Sequence, residues 1–140
     1  MNRRKTKQIA RQIAHQMQQH NGGVVLLSGP MGAGKTTLVG EIVHVLCPSA
    51  LTSSPTYTVI NQYSDKIFHA DLYRLWETDT NNLTDETDKI NQIMQSIGLL
   101  DFCVPGNYVF IEWPHGLKLP NALQVTINVK EDGNREFIIA

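Results

Sequence analysis

The chain has 140 residues, 41% of them hydrophobic, with 12 Lys plus Arg against 13 Asp plus Glu and a formal net charge of -1. That length suits one domain, 1–140, built on a single core. The near-neutral balance excludes a strong electrostatic grip on bare nucleic acid, so no DNA contact is expected and any role with RNA is indirect.

From Thr6 to His20 the apolar positions Ile9, Ile13 and Met17 recur every four residues beside Ala10 and Ala14, which predicts an amphipathic helix ended by Asn21-Gly22-Gly23. Arg3, Arg4, Lys5, Lys7 and Arg11 crowd its start and read as a solvated helix face. Val24-Val25-Leu26-Leu27 is a continuous apolar run, as in a central strand covered on both faces. SGPMGAGKTT follows at once, and Lys35 to Leu46 reads as a helix stopped by Pro48. Tyr57 to Tyr63 and Lys66 to Leu72, joined at Ser64-Asp65, predict a β-hairpin. Residues 76–90 are polar and acidic and read as a surface loop leading into a short helix through Ile93 and Ile97. Tyr108 to Ile111 is a second buried strand ending at Glu112, and Leu123 to Val129 with Glu136 to Ile139 predict a closing hairpin.

Gly29 to Thr36 satisfies G-x-x-x-x-G-K-[ST], placed between a strand and a helix. In such a loop Gly29, Gly32, Ala33 and Gly34 turn backbone N–H groups toward phosphate oxygens, and the next helix presents its positive end to the same anion. Lys35 reaches the β- and γ-phosphates, the Thr36 hydroxyl ligates Mg²⁺, and Thr37 is a further phosphate contact. A second acid is needed at the end of a neighbouring strand, and Glu112 stands there. Asp71 ends another strand, where it either positions the attacking water or caps the next turn. Thr56, in SSPTYT, sits where a loop threonine can sense the γ-phosphate. For His69 a packed or hydrogen-bonded role outweighs catalysis, and Trp113 either covers the nucleotide or closes the core. Cys47 and Cys103 have no C-x-x-C partner and read as free thiols. No long apolar run or leader pattern is present, so the expectation is a cytoplasmic protein away from membranes.

The ordered blocks GPMGAGKTTL, SSPTYTVINQY, FHADLYRL, IGL and VFIEWP resemble the TsaE family, with Thr6 in TKQIARQIA similar to the opening helix and Arg135 in DGNRE closing the match. The resemblance implies an α/β, three-layer P-loop NTPase fold: a mixed, mostly parallel central sheet, helices on both faces and antiparallel hairpins. It further implies a weak ATPase that uses ATP and Mg²⁺ to support a TsaB–TsaD pair in threonylcarbamoyl-adenosine modification of tRNA, without being the transferase. By position it implies Lys35 and Thr36 on phosphate and magnesium, Glu112 as second magnesium ligand and Asp71 as an acid required for hydrolysis. Thr56 takes a switch-like role, Trp113 lies beside the metal ligand, and Arg135 lies near the nucleotide base.

Pro30-Met31 replaces the usual acid and Leu, which stiffens the first turn of the loop, and the segment from Trp76 to Gln95 is longer and more polar than the family pattern. A leading strand before the first helix is also expected to be missing. A small-molecule kinase is the alternative enzyme, but it needs a basic lid, and the 76–90 insertion is acidic. An ATP-holding assembly module that does not hydrolyse is the other alternative, against which Asp71 and Glu112 both argue.

Overall fold

A computed structural model describes residues 3–50, 60–73, 92, 95, 98–114, 117, 119 and 121–140. Helix α1 (Arg3–Gln19) buries Thr6, Ala10, Ile13, Ala14 and Met17, spaced so that all five lie on one stripe. The five basic residues between Arg3 and Arg11 are exposed, as a solvated helix face requires. The helix closes where Asn21 enters the left-handed region at φ 52°. The amides of Asn21 and Gly22 there donate to the carbonyls of Gln18 and Met17 at 3.1 and 2.9 Å, which satisfies carbonyls that the helix end leaves over. A Cβ on Gly22, whose φ is 120°, would stand 2.5 Å from the Asn107 carbonyl oxygen. Glycine therefore lets the chain pass that turn and enter the sheet.

Strand β1 (Gly23–Ser28) lies at the centre of the sheet, parallel to both of its neighbours, β4 (Tyr108–Glu112) and β5 (Leu123–Val129). Burial on both faces explains the unbroken apolar runs in β1 and β4. On one side β4 pairs in parallel with β3 (Ile67–Asp71), which forms an antiparallel hairpin with β2 (Ile60–Ser64). On the other side β5 forms the second hairpin with β6 (Arg135–Ile139). The six-stranded order is β2-β3-β4-β1-β5-β6, a mixed α/β sheet of the expected kind. The strand ends differ from the sequence reading by a residue or so, and β6 takes in Arg135. Residues 57–59 of the first expected strand, the 76–90 loop and the helix through Ile93 and Ile97 lie outside the described residues.

Alternation along the strands divides the core in two. Val25, Leu27, Ile67, Phe110, Val125 and Ile127 point to the face where α1 packs with helix α2 (Lys35–Leu46). Leu26, Phe68, Ala70, Val109 and Ile111 point to the other face, against Leu99 of the 3-10 helix Leu99–Phe102 and against Leu117. No helix among the described residues is long and apolar enough to cross a membrane. Because the chain leaves β1 on one side and later returns on its other side as β5, the carboxyl edge of β1 is a topological switch point, where open α/β sheets bind ligands.

Candidate functional site

Three side chains from separate strands and loops meet at that edge because the sheet is in register. Leu27 of β1 lies opposite Glu112 of β4, and Glu112 lies opposite Asp71 of β3. Glu112 is two residues beyond Phe110, so its side chain projects to the α2 face. The loop between β1 and α2 brings Thr36 to the same place, and the Thr36 hydroxyl donates to Glu112 Oε1 and Oε2 at 3.1 and 2.9 Å. A hydroxyl and a carboxylate 76 residues apart in sequence are thereby in contact.

The loop itself is built by backbone contacts. The Ala33 amide donates to the Pro30 carbonyl at 3.1 Å, so Pro30 forms part of a closed turn. Gly29 has φ 150°, and a Cβ on it would lie 2.5 Å from the Ile127 carbonyl oxygen. The first glycine of the motif thus serves packing of the loop on β5. Gly32 and Thr37 are exposed, whereas Ala33 is buried.

Lys35 is 5% exposed. Its ammonium donates to the carbonyls of Gly29 and Pro30 at 2.6 and 2.9 Å and sits 4.2 Å from the centre of the Trp113 ring. Burial pulls the Lys35 pKa below the ordinary lysine value, and the nearby charges of Glu112 and Asp71 offset only part of that. Trp113 continues the β4–β1 pairing through its amide, 3.2 Å from the Leu27 carbonyl, and does so at φ 60°. A bulky residue there is strained by about 1–3 kcal/mol. The turn aims the indole at Lys35 and against Tyr73, whose ring centre is 4.8 Å away.

For Asp71 the structure shows the capping contact. Its carboxylate accepts from the Tyr73 amide at 3.1 Å, as a cap does, and it is exposed at the same edge as Glu112. Arg135 lies on the loop: Nε donates to the Ala33 carbonyl at 3.0 Å and Nη2 to the Gly32 carbonyl at 3.1 Å. Nη1 ties the same guanidinium to Gly133 at 2.5 Å. Beside it lies a cavity of about 190 Å³ lined by Lys5, Lys130, Asn134, Arg135 and Phe137. Thr6 is buried on the core stripe of α1, and Thr56 lies outside the described residues.

His69 and Tyr63, which sequence reasoning did not place in the site, reach it from behind. His69 Nε2 is 2.5 Å from Glu112 Oε2, and Tyr63 Oη is 2.9 Å from His69 Nδ1, so the hydrogen-bonded role expected for His69 is the observed one. The legible signal was the step of two from His69 to Asp71, which puts both on one face of β3. Using it required knowing that β3 lies beside β4. Burial, with the Glu112 charge adding to it and the Asn61 hydrogen bond opposing it, raises the Tyr63 pKa above the usual phenol value.

A larger groove of about 700 Å³ opens at the opposite edge of the sheet, where Gly22, Gly23 and Asn107 lie, and among the described residues no Lys, Arg, Asp or Glu lines it. The charges that phosphate chemistry needs are at the carboxyl edge. Among the described residues no three His, Cys, Asp or Glu are grouped to hold a metal. The Thr36 hydroxyl with the Glu112 carboxylate is a hard, two-oxygen donor set of the kind that suits Mg²⁺, which keeps waters and substrate phosphates as its other ligands.

The model of the family described as threonylcarbamoyl adenosine biosynthesis protein TsaE matches residues 1–137. The tRNA threonylcarbamoyladenosine biosynthesis protein TsaE of Synechocystis sp. is 36% identical over 120 residues, covering 83% of this chain and 69% of that protein. Its namesake in Bacillus subtilis is 30% identical over 122 residues, covering 83% of this chain and 68% of that protein. The crystal structure of Bacillus subtilis YdiB superposes with a TM-score of 0.60 at 25% identity, covering 98% of this chain and 78% of that one.

Proposed function

This chain belongs to the TsaE family, and from that premise we propose that it is a small P-loop ATPase that supports formation of threonylcarbamoyladenosine on tRNA. ATP binds with Mg²⁺ at the loop after β1, and its hydrolysis acts on a TsaB–TsaD pair that carries out the transfer. The observation that supports this most is the contact of Thr36 with Glu112 beside Lys35. It joins the three groups that phosphoryl chemistry on such a loop requires.

The loop amides and the amino end of α2 bind the phosphates, and Lys35 exchanges the carbonyls of Gly29 and Pro30 for phosphate oxygens. Thr36 and Glu112 would hold Mg²⁺, which would neutralise charge on the phosphate chain. Asp71 orients the attacking water from the neighbouring strand end, and Trp113 excludes bulk water from the Lys35 side. The cavity between Lys5, Arg135 and Phe137 takes the base end of the nucleotide.

The test is Mg²⁺-dependent ATP hydrolysis by the purified chain, alone and with TsaB–TsaD. Slow turnover that rises with the pair is expected. Lys35→Ala weakens nucleotide binding, and Glu112→Ala abolishes Mg²⁺-dependent hydrolysis while ATP still binds. Normal hydrolysis by Glu112→Ala refutes the assignment, and turnover indifferent to the pair turns the search toward phosphate acceptors.

A further inference from the structure

Glu112 is 2% and His69 4% exposed, so this carboxylate and this imidazole meet where water cannot replace either as a partner. The parallel register pairs Asp71 with Glu112 and His69 with Phe110, one pleat back on the same face, which directs the imidazole forward onto the carboxylate. As a carboxylate Glu112 only accepts hydrogen bonds, so His69 Nε2 carries the hydrogen that it donates to Oε2 at 2.5 Å. In the neutral ring Nδ1 is then the acceptor, and the Tyr63 hydroxyl 2.9 Å away is its donor. Thr36 approaches the same carboxylate from the loop side. Glu112 is therefore held by two partners, His69 of β3 at Oε2 and Thr36 of the phosphate loop at both oxygens.

We propose that His69 is a positioning residue for Glu112. By holding Oε2 it stops the carboxylate from rotating, which would keep the group in place for a cation shared with Thr36. Tyr63, on the edge strand β2, fixes the tautomer and rotation of the imidazole. A group that orients a ligand in this way commonly changes metal affinity or activity by about 10–100-fold. The inference rests on the reading of Glu112 as a cation ligand.

His69→Gln and His69→Asn separate positioning from packing, because the glutamine amide replaces a donor near Nε2, whereas the asparagine amide replaces the group near Nδ1 and falls short of Glu112. Two quantities are measured for each: kcat for ATP hydrolysis, and the gain in affinity for fluorescent ADP on going from EDTA to Mg²⁺. His69→Asn is expected to lower both about tenfold or more while affinity in EDTA stays within twofold of the unsubstituted protein. His69→Gln is expected to retain most of both, and Tyr63→Phe to lose a few-fold. Equal behaviour of the Gln and Asn variants, or equal weakening of ADP binding with and without Mg²⁺, overturns the proposal. Glu112→Ala in the same assay keeps the two levels apart. If it retains the Mg²⁺ gain, the ligand reading itself fails; if it loses the gain and His69→Asn does not, only the role of His69 fails.

Discussion

Replacing Arg135 with Met keeps most of the aliphatic stem and removes the guanidinium that holds the loop carbonyls of Ala33 and Gly32. The Gly32 carbonyl belongs to an exposed residue and regains water at little cost, whereas Ala33 is 1% exposed, so its carbonyl loses a charged donor without replacement. A hydrogen bond to a charged group contributes about 1.5–3 kcal/mol, and taking the lower end for this partly exposed arginine gives about 1.5 kcal/mol, or roughly tenfold in Kd. A peptide plane points its N–H away from its C=O, so loss of the clamp frees the amide of Gly34 to swing off the phosphate side. The weakening must then be shared by every phosphate ligand. Calorimetric titration of Arg135→Met with ATP, ADP and pyrophosphate, each with Mg²⁺, is the assay, and a similar tenfold loss for all three is expected. If pyrophosphate binding is unchanged while ATP and ADP weaken, Arg135 reads the base and the clamp argument is wrong.

Three further outcomes follow from the geometry. Gly29→Ala drives a methyl group against the Ile127 carbonyl at a φ that disfavours it, and urea denaturation should show a loss of about 1–3 kcal/mol together with weaker nucleotide binding. Phe110→Ala empties the largest fully buried side chain among the described residues and should cost about 3–5 kcal/mol in the same assay; a loss under about 1 kcal/mol would contradict the packing described. Lys35 has a pKa lowered by burial, so between that value and its unfolded value near 10.5 the unfolded chain binds more protons than the folded one, and stability rises with pH. Denaturation of Lys35→Met and of the unsubstituted protein, compared from pH 7 to pH 10, should therefore show the difference moving in favour of the unsubstituted protein as pH rises.

What the sequence disclosed was local. Val24–Leu27 and Tyr108–Ile111 announce buried strands by composition alone, and the loop motif is self-contained in eight residues. The hairpins were legible because both partners lie close in sequence with polar turns between them. The strand order was not, because it depends on pairings such as Leu26 with Ile111 and Leu26 with Gln124 that leave no adjacent pattern. The link from Glu112 to His69 went unread for the same reason, since alternation along each strand says which residues share a face but not which strand is next. Arg135 enters the site through resemblance, and its hold on the loop carbonyls of Ala33 and Gly32 is a contact across 102 residues that no local signal carries.

The central position of β1 has a consequence for how the chain is made. Both of its neighbours, β4 and β5, are translated after it, with about 80 residues between the end of β1 and the start of β4. At roughly 5–20 residues per second that interval lasts about 4–16 s. Throughout it the apolar run Val24–Leu27 has neither edge paired, and the phosphate loop has no second acid. The pairings that cover β1 on both edges are distant in sequence, and such non-local pairing slows folding and exposes sticky intermediates. The proposed nucleotide site is thus a late product of synthesis, because Glu112 and the strands that cover β1 arrive only after that interval.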